Sequence, residues 1–273
     1  MKNLNNSIDN DILTMFNNKQ YPLLALNNSI FYKSAKPYPH IYIDNFLPTK
    51  IAKKIANEYP KITRKRNEWK HHNNENVRRY FLDDTSFFSK NLKLFSLAIQ
   101  SRNFLLFLEV LTGIKGLQAD PYYLGGGAMT TPPEGFLKVH VDFNWHQKLQ
   151  SWRRINVLFY LTESWREDWG GDLEIWNQSG DKKIHSISPL FNRMVVFSTT
   201  SKSYHGQPTP TNAPAGTFRN VFSAFYYTNN STKDINANPH YTCYNDKIFK
   251  NAKKETSPYC EKIIQDYLKD ISP

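Results

Sequence analysis

The stretch Phe136-Leu-Lys-Val-His140-Val-Asp142-Phe143 decides how the rest of the chain is interpreted. Its apolar and polar residues alternate, which predicts a β-strand whose successive side chains point to opposite faces. His140 and Asp142 therefore share one face. An imidazole nitrogen and a carboxylate oxygen on one face form two of the three ligands in the 2-His-1-carboxylate set that holds non-heme Fe(II). Alone the pair is a weak motif, because a core histidine and a turn aspartate give the same pattern.

Two residues further along the chain strengthen the metal hypothesis. His205 follows the polar segment 198–204 rather than a core strand, so it gains little from packing, which favours a ligand role. Arg219 lies among the apolar residues of a last predicted strand, with Ser223 four positions later on the same face. A buried guanidinium requires an anion, and its planar fork can grip a carboxylate with two parallel hydrogen bonds.

The order H-x-D, distant His and then Arg resembles the iron(II)/2-oxoglutarate oxygenases. The segments 154–161, 169–176 and 192–197 resemble their prolyl 4-hydroxylase-like branch, so the resemblance covers roughly residues 38–227. It implies a mainly β fold with flanking helices: a double-stranded β-helix (jelly-roll) core with N-terminal helices bracing one sheet. Beyond Gly113 the chain has short β runs separated by Gly, Pro and Asn clusters, a pattern typical of that fold class.

The resemblance also implies an activity and its cofactors. His140, Asp142 and His205 would bind Fe(II), with 2-oxoglutarate and O2 as co-substrates and ascorbate as a reductant. The expected enzyme is a dioxygenase that hydroxylates an unactivated C–H bond of a peptidyl or free amino acid, or of another small metabolite, and releases succinate and CO2. Asp142 favours hydroxylation, because halogenation in this superfamily needs a small residue at that position.

The resemblance also implies roles for residues around the metal ligands. Arg219 matches the residue that anchors the distal carboxylate of 2-oxoglutarate, and the hydroxyls of Tyr160 and Ser223 match its partners. A half-buried tyrosine with its hydroxyl at the edge of the sheet is the alternative for Tyr160. Further residues are expected to line the cavity or support the ligands: Met129 on the strand beside His140, Asn144, His146 near the rim, Asn156 and Tyr204.

Three segments are predicted: an N-terminal extension at 1–36, the oxygenase jelly-roll domain at 37–228 and a C-terminal extension at 229–273 with a helix at 259–268. The first is Asn-rich and polar, and it is expected to pack loosely over the core. A strand at 40–47 and a helix capped by Thr49 open the domain. Residues 91–112 predict two helices with a break near Ser101 and a stop at Gly113.

Charge and cysteine content limit the possible partners. The 35 Lys and Arg residues against 24 Asp and Glu give a net charge of +11, which favours anionic partners. The densest basic run, 61–79, predicts a solvated face, and its alternative is a basic loop that attracts an anionic substrate.

Cys243 and Cys260 form no C-x-x-C pair. Without a signal-like segment or a run of ~18 apolar residues, a cytoplasmic protein acting on a small molecule or peptide, away from membranes, is expected.

Three functional classes stay open. The oxygenase is the leading hypothesis. A jelly-roll binding module, such as a lectin or a degenerate oxygenase with a structural metal, is the second. Nucleic-acid demethylation or binding is the third, and only the basicity of the chain suggests it. For the metal itself, a zinc site formed by His140, Asp142 and His146 is the alternative.

Overall fold

Two antiparallel β-sheets face each other across a cavity in the computed structural model, which describes residues 9–62, 69–229 and 239–245. Helices cover the outer face of the larger sheet. The predicted fold class, mainly β with a jelly-roll core braced by N-terminal helices, is confirmed. The predicted helix at 259–268 lies outside the described residues.

The strands follow the short, turn-separated β runs that the sequence predicts. In chain order they are β1 (His40–Ile43), β2 (Lys70–Asn73), β3 (Arg78–Leu82), β4 (Gln118–Ala119), β5 (Gly127–Thr131), β6 (Leu137–Val141), β7 (Trp145–His146), β8 (Ser151–Tyr160), β9 (Leu173–Trp176), β10 (Lys183–Ile187), β11 (Met194–Ser198), β12 (His205–Gln207), β13 (Arg219–Thr228) and β14 (Cys243–Tyr244). The major sheet has the order β1-β11-β8-β13-β5-β3-β2, with β4 paired to β13 and β7 to β8. The minor sheet has the order β10-β9-β12-β6-β14.

The helices are α1 at residues 9–14, α2 (Gln20–Ser34), α3 (Thr49–Asn57), α4 (Lys90–Ala98) and α5 (Arg102–Thr112). The predicted break near Ser101 is confirmed: its hydroxyl accepts a hydrogen bond from the Phe104 amide and starts α5, which ends at Gly113 with a φ of 77°. The expected cap at Thr49 is wrong, because Thr49 is already helical and no side chain caps α3. Among the described residues no single helix is long and apolar enough to cross a membrane; α4 and α5 meet that test only as a pair bent by 52°.

The described residues before position 37, which are 9–36, pack tightly against the core, so the expectation of loose packing is wrong for them. Tyr21, Ala25 and Tyr32 of α2 recur at helical spacing and are buried in the core between helices and sheet, together with Phe16. The Tyr32 hydroxyl lies 2.8 Å from the Ser198 hydroxyl at the end of β11. The Asn-rich composition concealed this apolar stripe. The three-segment division at residues 36 and 228 stays a prediction.

The long strands β8 and β13 form the central part of the cavity wall. Ser223 lies opposite Leu158, and Phe225 opposite Asn156. The register then shifts beyond Tyr226, so that Tyr227 pairs with Arg153. Such a bulge reverses the alternation of faces. It therefore places Arg153 on the cavity side of β8, where uninterrupted alternation would place Arg154.

Candidate active site

His140, Asp142 and His205 converge at one end of the cavity. Strands β6 and β12 are neighbours in the minor sheet, and their register sets His205 opposite His140. His140 Nε2 lies 3.5 Å from Asp142 Oδ1, and His205 Nε2 lies 3.3 Å from Asp142 Oδ2. One ligand atom from each residue lies within 4.8 Å of the others. The structure thus brings together the three ligands that the sequence predicts.

Backbone carbonyls orient both imidazole rings. His140 Nδ1 lies 2.8 Å from the Lys138 carbonyl oxygen, and His205 Nδ1 lies 2.9 Å from that of Ser203. A carbonyl can only accept, so each Nδ1 carries the proton and a neutral ring presents a lone pair at Nε2. Burial lowers the pKa of His140, and the neighbouring His205 acts in the same direction. The Nε2 lone pair of His140 is therefore free for a metal at neutral pH.

A buried arginine and an amide hold the Asp142 carboxylate in place. Arg153 Nη2 donates to Asp142 Oδ2 at 3.0 Å, Asn156 Nδ2 donates to the same oxygen at 2.8 Å, and Arg153 Nε donates to Asn156 Oδ1 at 2.8 Å. The guanidinium also lies over the Phe225 ring, 3.4 Å from its centroid. Although burial opposes ionisation, the charge of Arg153 holds the pKa of Asp142 well below its usual range. Asp142 is therefore a carboxylate at neutral pH.

This arrangement fits a divalent metal. Two Nε2 lone pairs and a carboxylate point toward one another in a buried place, which is unfavourable unless a cation lies between them. Two imidazoles and one carboxylate form the set that binds non-heme Fe(II) on one side and leaves its other positions open. The open side here is the cavity, which His140, Asp142 and His205 all line.

The inner part of the cavity, next to His205, contains a buried arginine with unused hydrogen-bonding capacity. Arg219 is 7% exposed, and its Nη2 donates to the Tyr160 hydroxyl at 3.3 Å. Its Nε has no hydrogen-bond partner, and no carboxylate of a described residue lies within 4.0 Å of its guanidinium. Burial lowers the pKa of Arg219. The buried Ser223 lines the same inner part. These groups fit the carboxylate of a bound ligand.

The outer part of the cavity is lined by a hairpin and by the C-terminal end of the described chain. The hairpin is β2–β3, from the basic run 61–79. Lys70 is exposed and Arg78 pairs with Glu134 at 3.2 Å on the surface, so part of the run is a solvated face, as predicted. Other side chains of the hairpin line the outer cavity, and the alternative, a basic loop that attracts an anionic substrate, stays a prediction. The residues that define this outer part are His72, Arg79, Phe81, Phe143, Tyr241 and Tyr244.

The supporting residues predicted from the sequence have mixed outcomes. Asn156 contacts Asp142, as expected for the cavity face of β8. Met129 lines the inner cavity, but the expectation that it lies on the strand beside His140 is wrong. Met129 lies on β5 in the major sheet, opposite Val221, whereas His140 lies on β6 in the minor sheet. The two residues therefore face the cavity from different sheets.

The expectation that His146 lies at the rim is wrong. His146 is 1% exposed on β7; its Nε2 lies 3.3 Å from Asp120 Oδ1, and its ring packs edge-on against Tyr227. It therefore does not join His140 and Asp142, and the zinc alternative fails for a geometric reason. The short strand β7 turns back along β8, which carries His146 away from the face that holds the ligands.

Asn144 and Tyr204 do not line the cavity. Asn144 Oδ1 accepts a hydrogen bond from the His240 amide at 2.8 Å and so fixes the segment 239–245 beside β6. The Tyr204 carbonyl accepts from the Tyr38 hydroxyl at 2.8 Å. Both residues therefore support neighbouring segments, Asn144 beside Asp142 and Tyr204 beside His205, rather than contacting a ligand in the cavity.

Sequence reasoning missed three residues of the site. Arg153 was hidden by the bulge in β8, because regular alternation gives the cavity face to Arg154. Arg79 was one of many cations in a basic run. Tyr244 lies opposite His140 in the pairing of β14 with β6, with ring centroids 5.7 Å apart. No pattern in the C-terminal sequence indicates that pairing, since β14 has only two residues.

The fold and the site together have the arrangement of a jelly-roll oxygenase: two facing antiparallel sheets with a 2-His-1-carboxylate set in the cavity between them. Residues 127–227 match the model of the 2OG-Fe(II) oxygenase superfamily. This segment is similar to that superfamily, whose enzymes use Fe(II) and 2-oxoglutarate. The matched segment contains His140, Asp142, His205 and Arg219.

Solved structures agree on the fold. A prolyl-4-hydroxylase from Pseudomonas putida aligns with a TM-score of 0.52 at 16% identity, covering 75% of this chain and 99% of its own. A prolyl hydroxylase from Trichoplax adhaerens, in complex with a peptide fragment of the hypoxia inducible factor oxygen degradation domain, aligns with a TM-score of 0.50 at 16% identity, covering 77% and 91%. A search of curated protein sequences found no match. At these identities the structures show a shared fold.

Proposed function

We propose that this chain is an Fe(II)- and 2-oxoglutarate-dependent dioxygenase that hydroxylates an unactivated C–H bond and releases succinate and CO2. The observation that carries the proposal is the convergence of His140, Asp142 and His205 in a cavity whose inner part holds the buried, incompletely bonded guanidinium of Arg219. When bound, Fe(II) and 2-oxoglutarate supply the oxidative chemistry. The protein supplies geometry, exclusion of water and the choice of substrate.

In this proposal His140 Nε2, His205 Nε2 and the Asp142 carboxylate hold the metal. The carbonyls of Lys138 and Ser203 fix the two imidazole tautomers. Arg153 and Asn156 fix the carboxylate and keep it ionised. Partners behind metal ligands of this kind raise affinity by holding the ligands in one orientation.

The distal carboxylate of 2-oxoglutarate would bind Arg219, with the Tyr160 and Ser223 hydroxyls beside it. Apolar side chains, among them Leu158, Val221 and Phe225, line the rest of the inner part. In such surroundings charge-assisted hydrogen bonds are stronger than in water. The inner part therefore suits a dianion held at one end by the metal and at the other by an arginine.

The primary substrate would enter through the outer part. Of the two similar structures, one is a prolyl-4-hydroxylase and the other holds a peptide fragment, which supports a peptidyl or free amino acid, or another small metabolite, as the substrate class. Asp142 as the carboxylate ligand supports hydroxylation as the outcome.

Arg153→Met is expected to lower Fe(II) affinity by about 10- to 100-fold, because the Asp142 carboxylate loses its charged partner. Methionine retains apolar contact with Phe225. The matched control is Arg154→Met, since Arg154 donates to Thr228 on the other side of the same strand. Anaerobic competition between protein and a chelator would measure the affinity. Equal Fe(II) affinity in the two variants would contradict the role given to Arg153.

Activity can be tested with a succinate-release screen across amino acids, proline-containing peptides and anionic metabolites. A true substrate should raise succinate release and yield an equal amount of a product heavier by one oxygen atom. Asp142→Ala should abolish both. Absence of succinate from iron-loaded protein, with and without every candidate, would favour a jelly-roll binding module instead.

A further inference from the structure

Arg79 is a third arginine that faces the cavity, besides Arg153 and Arg219, and it has no role in the proposed function. In the pairing of β3 with β5, Tyr80 lies opposite Thr130. Continued by one residue, the same register sets Arg79 opposite Thr131. Arg219 also lies opposite Thr131, on the far side of β5. Residues opposite one another share a face, so Arg79 and Arg219 face the same cavity two strand spacings apart, roughly 10 Å between backbones.

The guanidinium of Arg79 contacts no carboxylate in the part of the chain that the structure describes. Its Nε is buried without a hydrogen-bond partner, and the group lies over the Phe81 ring at 4.4 Å from the centroid. No carboxylate of a described residue lies within 4.0 Å of it. Burial lowers the pKa of Arg79 to about 10, so the group is still a cation at neutral pH. A cation whose donor is removed from water in this way requires an anion.

The acidic residues around the cavity are already engaged. Asp142 is bound by Arg153 at 3.0 Å and faces both imidazoles. Asp83, which lines the outer part, is paired with Lys70 at 2.7 Å. The remaining titratable group of the hairpin that lines this part is His72, a base rather than an acid. Asp142 stabilises the positive charge of Arg79 only from a distance, and no carboxylate of the described lining contacts the Arg79 guanidinium.

Arg79 and Arg219 serve different parts of the cavity. Arg219 lines only the inner part of the cavity, whereas Arg79 lines both the inner and the outer part. The proposed function requires 2-oxoglutarate to bind Arg219 and the metal. Arg79 then remains available to bind a group of a second molecule in the outer part of the cavity. Aromatic rings surround that place, including Phe81, Phe143 and Tyr244.

We infer that Arg79 binds an anionic group of the primary substrate, a carboxylate or a phosphate, while an apolar portion of the same molecule contacts the surrounding rings. The inference rests on the proposed function and narrows its substrate class to organic acids and phosphate esters. A planar guanidinium can bind either oxyanion with two parallel hydrogen bonds. Substrates that carry an amide in place of the acid would leave Arg79 buried and unpaired.

The test uses the full chain under anaerobic conditions, saturated with Fe(II) and 2-oxoglutarate so that Arg219 is occupied. Calorimetric titrations compare benzoate and phenyl phosphate with benzamide, a neutral molecule of the same shape as benzoate. Wild-type protein should bind at least one of the two anions tenfold or more tightly than benzamide. Arg79→Gln should remove that preference, and Arg79→Lys should retain part of it. Thermal unfolding of each variant confirms that it is folded.

Arg78→Gln is the matched control, because Arg78 is the adjacent arginine and its guanidinium pairs with Glu134 on the surface. It should keep the wild-type preference for anions. Equal binding of benzoate, phenyl phosphate and benzamide by wild-type protein would overturn the inference, as would a preference that survives in Arg79→Gln. So would a loss of 2-oxoglutarate affinity in Arg79→Gln with anion preference intact. Failure of wild-type protein to bind Fe(II) and 2-oxoglutarate would instead contradict the proposed function, and it is measured separately.

Discussion

Arg219→Gln should raise the dissociation constant for 2-oxoglutarate by roughly 30- to 1000-fold, the equivalent of about 2–4 kcal/mol for losing one partner of a buried charge pair. The guanidinium is buried, touches the Tyr160 hydroxyl and has an unused Nε donor, so a bound carboxylate would receive charge-assisted bonds that glutamine cannot replace. Anaerobic titration of the Fe(II)-loaded protein with 2-oxoglutarate measures the constant.

Arg193→Gln is the control for this variant. Arg193 is also a largely buried arginine, but its Nε and Nη2 donate to the two carboxylate oxygens of Asp44, at 2.6 and 3.0 Å. Its loss should lower stability and leave 2-oxoglutarate affinity unchanged. If Arg219→Gln bound 2-oxoglutarate as tightly as the Arg193 variant does, Arg219 would not be the anchor.

Gly206→Ala should weaken both the fold and the metal site. A Cβ at position 206 would lie 2.9 Å from the Lys138 carbonyl oxygen, 2.9 Å from Val139 Cα and 3.0 Å from the Leu137 carbonyl oxygen. These are backbone atoms of β6, which cannot rotate away, so β12 must move. We expect a loss of about 1–3 kcal/mol in the free energy of unfolding. Because the β6–β12 pairing sets His205 opposite His140, Fe(II) affinity should fall by more than about tenfold.

Gly116→Ala separates the two effects of the Gly206 variant. Gly116 has a φ of 72°, and a Cβ there would meet nothing within 4 Å. Alanine in this left-handed conformation should cost about 1–2 kcal/mol without moving β6 or β12. Urea unfolding and anaerobic Fe(II) titration of both variants provide the comparison. A Gly206→Ala protein that kept wild-type Fe(II) affinity would show that the close approach of the two strands does not position the site.

The predictable part of the site is the part governed by regular alternation and by distinctive residue types. Two-residue periodicity was sufficient to place His140 and Asp142 on one face, although Asp142 directly follows the last residue of β6. His205 could be found because a histidine after a polar segment has no packing role to explain it. Arg219 stood out as a cation in an apolar strand, and the structure shows it buried.

The unpredicted part depends on irregularities and on long-range pairing. One bulge in β8 exchanged Arg154 for Arg153 as the partner of Asp142. Met129 was assigned to the wrong sheet, because sequence proximity suggested a hairpin between β5 and β6 whereas β5 pairs with β3 and β13. The tight packing of α2 was concealed by asparagines that lie between its apolar residues. Local sequence contains none of this information, since each feature is decided by a distant partner.

The most direct test of the central claim is the visible absorption of the protein under anaerobic conditions with Fe(II) and 2-oxoglutarate. If the two bind together at His140, Asp142 and His205, a weak charge-transfer band should appear in wild-type protein. The band should be absent in His205→Ala and present in His185→Ala, which removes an exposed histidine of β10. A wild-type protein without the band, or a His205→Ala protein that retains it, would contradict the assignment.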